Sequence, residues 1–148
     1  MPEVEKAVEI AAVAHRGQTD KSGSPYILHP IELVLKMETE AEMKAAALHD
    51  VVEDSDWTLE KLRKEEFSEE VVEAVKHLTK AKHLRDRELE TYDEDYDEFI
   101  DRAKENDIAR KVKVADLEHN MDMTRLDELT ESDLSRLERY YASWDKLR

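Results

Sequence analysis

Glycine and proline are scarce in this sequence, and their scarcity limits the folds that the chain can adopt. Only 2 glycines and 3 prolines occur among 148 residues, well below their usual frequency. Tight β-hairpins depend on such residues at their turns, so the composition argues against a fold rich in hairpins. Charged residues make up 41% of the chain and apolar residues 40%, which is typical of amphipathic helices with solvated outer faces. We predict an all-α fold, an irregular bundle of about eight helices in a single domain over residues 1–148.

Hydrophobic periodicity and capping signals predict where the helices lie. The segment Gly17–Pro25 contains both glycines and is the predicted loop. Thr39 and Glu42 have the spacing of a capping box at the start of a longer helix. The last helix is predicted to bury Leu134, Leu137, Tyr141 and Trp144. The predicted helices cover about residues 3–16, 30–37, 40–53, 68–79, 93–105 and 107–123, with a short helix from 58, a final helix from 132 and a polar loop at 80–92.

Net charge and the absence of cysteine restrict the partners of this chain. A formal net charge of −15 argues against a nucleic-acid partner, because a surface so acidic repels a phosphate backbone. No cysteine is present, so any metal must be held by nitrogen and oxygen donors. The sequence has no basic leader and no apolar stretch of about 18 residues. We therefore expect a cytoplasmic protein with a small-molecule partner and no membrane partner.

His49 and Asp50 lie in an apolar stretch, because residues 45–48 and 51–52 are all alanine, leucine or valine. Burying a histidine and a carboxylate among such neighbours is costly unless a partner satisfies both. A divalent cation would do so. His29, before a proline, and Asp116, among apolar neighbours, are the candidate further ligands. Two histidines and two carboxylates suit Mn²⁺, Fe²⁺ or Zn²⁺, whereas any one of these residues alone is equally well read as a core histidine or a solvated acid.

Glu53 and Asp54 follow one turn after this pair. If the helix continues, Glu53 stacks on His49 and Asp54 on Asp50. One acid would then orient or deprotonate a water held by the metal, and the other would pass a proton to a leaving group. The alternative is a helix end that carries two solvated acids. Position alone does not decide between the two interpretations.

Four segments give the sequence a family resemblance. They read AHRGQ (14–18), KSGSPYILHP (21–30), AALHDVVED (46–54) and KVADLEHN (113–120). In this order they closely resemble the hydrolase domain of the RelA/SpoT alarmone enzymes and their single-domain relatives in the HD superfamily. The resemblance covers roughly residues 4–125.

The resemblance implies an α-helical HD fold that uses Mn²⁺ to remove the 3′-pyrophosphate from guanosine tetra- and pentaphosphate. Its metal ligands would be His29, His49, Asp50 and Asp116, and its catalytic acid pair would be Glu53 and Asp54. Its substrate-binding residues would be Lys21, Ser22, Tyr26 and Asn120. The function expected from the resemblance is a guanosine-3′,5′-bis(diphosphate) 3′-pyrophosphohydrolase.

Two positions depart from the family pattern. Asp20 stands where the alarmone hydrolases usually carry an arginine that packs on guanine, and Glu118 replaces a second arginine. We therefore expect Asp20→Arg to improve kcat/KM for guanosine tetraphosphate by about three- to thirty-fold. Two alternatives remain open: an HD phosphohydrolase of another nucleotide or phosphorylated cofactor, and a nucleotide-binding HD module without turnover.

Some further residues are interpreted as structural. The basic run Lys80, Lys82, His83, Arg85 and Arg87 is read as a solvated loop rather than a phosphate contact. His15 and His119 are read equally as partners of the site residues or as packing residues. Tyr140, Tyr141 and Trp144 are read as core rather than as a platform for a base.

Overall fold

The fold was obtained as a computed structural model, which describes residues 2–84 and 94–148. These residues form α-helices with short connections and one isolated bridge between Thr19 and Pro25, so the predicted all-α class is confirmed. The helices are α1 (Val4–Ala14), α2 (Leu28–Leu35), α3 (Glu40–Leu48), α4 (Val51–Asp54), α5 (Leu59–Lys64), α6 (Glu69–His77), α7 (Tyr96–Lys104), α8 (Asp107–Asn120) and α9 (Glu131–Leu147).

Polar side chains fix where several helices begin. The Thr39 hydroxyl accepts the Glu42 backbone N–H, and the Glu42 carboxylate accepts the Thr39 N–H, so the predicted capping box is confirmed. Thr58, Ser68 and Asn106 each accept a backbone N–H three residues later, at the starts of α5, α6 and α8. Each such cap satisfies a donor that the first turn of a helix leaves unpaired.

The predicted helix over 40–53 is interrupted at His49 and Asp50. α3 ends at Leu48, and α4 begins at Val51. Asp50 has φ −111° and ψ 1°, outside the range of a regular helix, while the His49 ring is drawn to the carbonyl of Ala46. The expectation of one unbroken helix is therefore wrong. The Asp54 N–H still donates to the Asp50 carbonyl at 3.0 Å, so the one-turn stacking persists for that pair.

Other helix boundaries shift by a few residues. α2 begins two residues before Pro30, which places His29 in its first turn. The chain beyond α8 forms a separate 3₁₀ turn at Met123–Arg125 instead of extending the helix to 123. A second 3₁₀ turn, Ala81–His83, lies within the predicted loop. Residues 85–92 of that loop, among them Arg85 and Arg87, lie outside the described residues.

The predicted loop at 17–25 is confirmed and depends on its glycines. Gly17 has φ +82° and Gly23 has φ +84°, the left-handed region that other residues adopt only at a cost. The Asp20 N–H donates to the Ser24 carbonyl, and the Gly23 N–H donates to the Asp20 carbonyl. The loop is thereby closed into a tight turn directly before α2.

The core is built around α3, which packs against α1, α2, α6 and α8. Residues 45–48 of α3 are all buried, and three of them are alanines, whose small side chains let the neighbouring helices approach closely. Leu48 packs in a cluster with residues of α1, α4, α5 and α6, and Ala45 and Ala46 pack with residues of α2, α6 and α8. α3 therefore holds its last residues at the centre of the bundle.

α9 buries only part of the face that the sequence predicts. Leu134 is 47% exposed and Tyr141 is 54% exposed, so their assignment to the core is wrong. Tyr140 and Trp144 do pack against α7 and α8, together with Leu147, so their assignment to the core is confirmed. In the described ranges no helix combines the length and hydropathy that crossing a bilayer requires.

Leu33→Ala and Leu35→Ala test the packing of α2. Leu33 is fully buried, whereas Leu35 is 74% exposed. We expect Leu33→Ala to lower the free energy of unfolding by about 2–5 kcal/mol and Leu35→Ala to change it by less than about 0.5 kcal/mol. Urea denaturation monitored by circular dichroism measures both. Equal effects of the two substitutions would contradict this packing.

Candidate metal centre and substrate cavities

Two histidines and an aspartate from three helices meet in the interior. His29 lies in the first turn of α2, His49 follows the last residue of α3, and Asp116 lies on α8. All three residues are buried, and one ligand-type atom from each lies within 4.8 Å of the others. Because α2, α3 and α8 pack directly against one another, the fold itself brings these atoms together.

The hydrogen bond of His49 Nδ1 directs the other ring nitrogen into this cluster. Its Nδ1 lies 2.7 Å from the Ala46 carbonyl oxygen, and because a carbonyl only accepts, Nδ1 carries the proton. Its Nε2 is buried without an aligned hydrogen-bond partner. That nitrogen faces Asp50 Oδ2 at 3.0 Å and Asp116 Oδ1 at 3.7 Å. A lone pair directed at two carboxylates is unfavourable unless a positive charge lies between them.

Asp116 is held from both sides. Its Oδ1 lies 2.7 Å from His29 Nε2 and accepts the Asn120 side-chain amide at 3.2 Å, while its Oδ2 accepts the Lys113 ammonium at 2.7 Å. Burial acts to raise the pKa of Asp116, but Lys113 and the two imidazoles hold that pKa well below its usual range. The carboxylate therefore stays ionised, which a metal ligand requires.

The ring of His29 is oriented by His119. The two Nδ1 atoms lie 2.6 Å apart, and the rings stack with their centroids separated by 4.8 Å. A histidine that binds a metal through one nitrogen usually hydrogen-bonds through the other. Of the two interpretations of His119, the geometry matches that of a partner of a site residue.

Asp50 lies beside this group and is bound by Tyr26, whose hydroxyl donates to Asp50 Oδ2. Burial and the neighbouring charge of Asp50 raise the pKa of Tyr26, so the hydroxyl stays protonated and able to donate. For Asp50, burial acts to raise the pKa, but the imidazole of His49 lowers it below its ordinary value. Three of the four predicted ligands thus form one compact group, and the fourth contacts it through His49.

The donor set fits a divalent cation. Burial acts to lower the pKa of His49, yet the carboxylates of Asp50 and Asp116 raise it well above its ordinary value. The same field favours a cation in place of that proton. Two imidazoles with one or two carboxylates suit Mn²⁺, Fe²⁺ or Zn²⁺, and the unpartnered Nε2 of His49 is oriented to coordinate one.

The two acids of α4 have different environments. Glu53 is half-buried and accepts the Lys80 backbone N–H at 2.7 Å, whereas Asp54 is exposed. Burial and the charge of Asp50, in that order, raise the pKa values of both carboxyls. Gln18 donates to the Asp54 backbone carbonyl at 3.2 Å and contacts His15, which fixes the end of α4. Asp54 matches the solvated alternative more closely than Glu53 does.

We call the group of His29, His49 and Asp116 the metal-type cluster. A cavity of about 290 Å³ opens beside it, with His29 in the cavity wall. Its wall contains the four predicted substrate-binding residues Lys21, Ser22, Tyr26 and Asn120. The wall also contains two arginines and two large side chains: Arg125, Arg136, Leu126 and Tyr140. We call it the first cavity. Apolar and cationic side chains together suit a base or sugar that is linked to phosphate.

A second cavity, of about 350 Å³, is lined by His29 and Asp116 of the same cluster. Asp50, Glu53 and Asp116 line it, together with three cationic side chains: Lys80, Lys113 and Arg139. The two cavities share the walls formed by Tyr26, His29, Asn120 and Tyr140. The two cavities therefore adjoin each other, and His29 of the cluster lies in the wall that they share.

Several cavity residues were missed in the sequence. The i, i+3, i+4 spacing of one helix face relates Arg136, Arg139 and Tyr140. This signal is missed when Tyr140 is assigned to the core alone. Lys80 was read as part of a solvated loop, but it lines the second cavity. Arg125 carries no recognisable signal, because it reaches the first cavity from a 3₁₀ turn that the sequence did not predict.

The two departures from the family pattern have different structural meanings. Asp20 Oδ1 accepts the Ser22 N–H, the Ser22 hydroxyl and the Ser24 N–H at 2.6–3.0 Å, and Asp20 Oδ2 contacts Arg125 at 3.3 Å. The carboxylate thus holds the loop together, and Asp20 also lines the first cavity. Glu118 is exposed and accepts the Trp144 indole N–H at 3.3 Å, away from the residues that line the two cavities.

The helical bundle and its buried histidine–aspartate centre together define a protein of the HD class. A family model described as "HD domain" matches residues 7–118. The chain belongs to this family.

Individual relatives are more specific. The chain is 40% identical over 118 residues to a guanosine-3′,5′-bis(diphosphate) 3′-pyrophosphohydrolase of Haemophilus influenzae, covering 76% of this chain and 17% of that protein. It is 42% identical over 83 residues to a protein of the same name from Aquifex aeolicus, covering 53% of this chain and 12% of that protein. The chain thus spans less than a fifth of the length of these relatives.

A solved structure matches over the whole chain. It is described as the structure of a metazoan ortholog of SpoT that hydrolyzes ppGpp and plays a role in starvation responses. The two structures superpose with a TM-score of 0.73 at 26% sequence identity. The match covers 100% of this chain and 88% of the other. The resemblance to the hydrolase domain of RelA/SpoT enzymes is confirmed by these relatives and by the family match.

Proposed function

We propose that this chain is a metal-dependent phosphohydrolase that removes the 3′-pyrophosphate from guanosine 3′,5′-bis(diphosphate). The observation that carries this proposal is that the buried His29–His49–Asp116 group adjoins two cavities whose walls carry cationic side chains: His29 lines both cavities, and Asp116 lines the second. The relatives named for this reaction support the choice of substrate. We further propose that Asp50 completes the ligand set and that Mn²⁺ is the cation.

The charge distribution supports an anionic substrate. In a chain of net charge −15, six cationic side chains line these cavities: Lys21, Arg125 and Arg136 at the first, and Lys80, Lys113 and Arg139 at the second. Three of them pair with carboxylates of the same walls, Arg125 with Asp20, Arg136 with Asp133 and Lys113 with Asp116. Such local clusters attract a polyphosphate despite the acidic surface elsewhere. We assign the nucleoside part to the first cavity, with its apolar wall, and the 3′-pyrophosphate to the second.

The chemistry of the reaction divides between the cation and the acids. A bound divalent cation supplies Lewis-acid polarisation of the phosphoryl group. Glu53 lines the second cavity, and its raised pKa suits a group that accepts a proton from the attacking water. Tyr26 and Lys113 hold Asp50 and Asp116 in place. The oxygen of water adds to phosphorus as the bond to the ribose 3′-oxygen breaks, and the proton taken up by Glu53 passes to that 3′-oxygen, which yields GDP and pyrophosphate.

Product analysis tests the proposed function. The purified protein is incubated with guanosine tetraphosphate and Mn²⁺, and the nucleotides are separated by anion exchange while pyrophosphate is measured enzymatically. We expect equal amounts of GDP and pyrophosphate, no reaction in EDTA, and recovery when Mn²⁺ is restored. Parallel reactions with Fe²⁺ and Zn²⁺ test the choice of metal. Binding of the nucleotide without turnover in any of these metals would identify a binding module instead.

A second candidate function is hydrolysis of another phosphorylated nucleotide or nucleotide cofactor. The observation that favours it is Asp20, which occupies the position of the arginine that packs on guanine in the resembled family. The same assay on a panel of 3′-phosphorylated and 2′-phosphorylated nucleotides decides between the candidates. The nucleotide with the highest kcat/KM is then assigned as the substrate of this protein.

The structure changes the expected effect of Asp20→Arg. The arginine removes the carboxylate that three donors of the loop share and places a second cation against Arg125. We now expect KM for guanosine tetraphosphate to rise about tenfold, because the loop carries Lys21 and Ser22. Asp20→Asn, which keeps an acceptor oxygen for the loop, should stay within about threefold of wild type. A gain in kcat/KM for Asp20→Arg would restore the interpretation drawn from sequence.

A further inference from the structure

One backbone hydrogen bond sets the position of the Glu53 carboxylate. Glu53 Oε1 accepts the Lys80 N–H at 2.7 Å. Lys80 lies in the turn between α6 and the 3₁₀ turn Ala81–His83. Any displacement of this turn therefore moves the donor that holds Glu53 at the wall of the second cavity.

Arg102 on α7 clamps the turn that carries this donor. Its Nη1 donates to the Lys76 carbonyl at 2.8 Å, and its Nη2 donates to the Thr79 carbonyl at 2.5 Å. The Lys76 carbonyl lies in the last turn of α6, and Thr79 directly precedes Lys80. The guanidinium thus joins the C-terminal end of α6, where a cation also interacts favourably with the helix dipole, to the residue before Lys80.

Glu94 completes the clamp from the other side of Lys80. Its carboxylate binds Arg102 in a forked pair, with N–O distances of 2.7 and 3.0 Å, and it accepts the Ala81 N–H at 3.0 Å. The Glu94 side chain is only 3% exposed, and the guanidinium of Arg102 outweighs burial and lowers the pKa of this carboxyl. Residues 79 and 81, which flank Lys80, are therefore both tied to one ion pair.

We propose that Arg102 is a positioning residue for the hydrolytic reaction and acts through the Lys80 N–H on Glu53. This inference rests on the proposed function and deepens it. Arg102 is not among the residues that line either cavity, so its effect falls on the orientation of the acid and not on substrate affinity. The fork of a guanidinium can bind two carbonyls and a carboxylate together, whereas a lysine ammonium cannot reproduce that geometry.

Arg102→Lys is the test variant, and Arg110→Lys is its matched control. Arg110 also donates to main-chain carbonyls, those of Leu147 and Arg148, but these lie at the end of α9. We expect Arg102→Lys to lower kcat about ten- to a hundredfold with KM within about twofold of wild type. Arg110→Lys should leave both parameters unchanged. Thermal melting of both variants measures any general loss of stability.

A double-mutant cycle separates positioning from a structural role. In a Glu53→Gln background, adding Arg102→Lys should change kcat by less than about twofold, because the group that Arg102 positions no longer functions. A further loss equal to that of the single variant overturns the proposal. So does a kcat loss of the same size in Arg110→Lys.

The Lys80 amide gives a readout that needs no substrate. In ¹⁵N-labelled protein, Arg102→Lys should speed hydrogen exchange of this amide at least tenfold, and Arg110→Lys should not. If the wild type hydrolyses no nucleotide of the panel, the proposed function fails, while the amide still decides whether the clamp exists. An unchanged Lys80 amide in Arg102→Lys overturns the clamp, whatever the activity.

Discussion

Replacing His49 or Asp116 with alanine is expected to abolish binding of the divalent cation and all metal-dependent turnover. Each substitution removes one of three buried ligand-type atoms that lie within 4.8 Å of one another, and no cysteine is available in the chain to replace it. Removing even a partner of a metal ligand typically costs ten- to a hundredfold in affinity, so loss of a ligand costs more. Metal analysis after dialysis against Mn²⁺ measures occupancy directly.

Controls distinguish loss of the metal from loss of the fold. Asp116→Ala leaves the buried Lys113 ammonium without its partner, which is itself destabilising. Asp116→Asn keeps the shape of the side chain and should still lose the metal. His77→Ala removes a histidine on α6 that contacts a main-chain carbonyl outside the group, and it should retain full occupancy. Full occupancy in both His49→Ala and Asp116→Asn would remove the proposed metal site.

Replacing Glu53 with glutamine and Asp54 with asparagine together is expected to lower kcat by about 10² or more, the range typical of general acid–base catalysis. Metal binding should be intact, because neither acid belongs to the group of three. Steady-state kinetics at saturating Mn²⁺ measure the loss. The two single variants should differ, since Glu53 lines the second cavity and Asp54 is exposed.

We expect Glu53→Gln alone to account for most of the loss in the double variant. Glu60→Gln is the matched control, because Glu60 is an exposed acid on α5 that pairs with Lys64 at the surface, and it should be neutral. A double variant that turns over at the wild-type rate would show that this pair is a solvated helix end.

The residues of the centre could be selected from sequence because buried ionisable groups need partners. His49 and Asp116 stand among apolar neighbours, and the structure buries both. The sequence also predicted that His29 from another helix would join them, and the fold brings it to 2.7 Å from Asp116. Local pattern was sufficient here, since the apolar context was itself the evidence.

The break between α3 and α4 could not be predicted, because the residues around it have good helical periodicity. The interruption depends on His49 turning its ring to the Ala46 carbonyl and on the tertiary position of Asp50 beside Tyr26. The face of α9 was misjudged for a related reason. Leu134 and Tyr141 satisfy the helical spacing, but no element packs over them within the described part of the chain.

The contacts of Asp20 add information that a comparison of residue types does not contain. A comparison of residue types suggests an anion placed beside a phosphate. The structure shows a carboxylate that is engaged by its own loop and by Arg125, 105 positions along the chain. A long-range contact of this kind leaves no local trace, so it can be read only from coordinates.

The most direct measurement is anomalous diffraction from a crystal of the wild-type protein soaked in Mn²⁺. We expect one strong anomalous peak about 2 Å from His29 Nε2, His49 Nε2 and an oxygen of Asp116, with Asp50 turned toward it. A soak of His49→Ala should show no peak at that position. Saturating Mn²⁺ that produces no peak between these three side chains in the wild type, or a peak only elsewhere, would contradict a metal centre here.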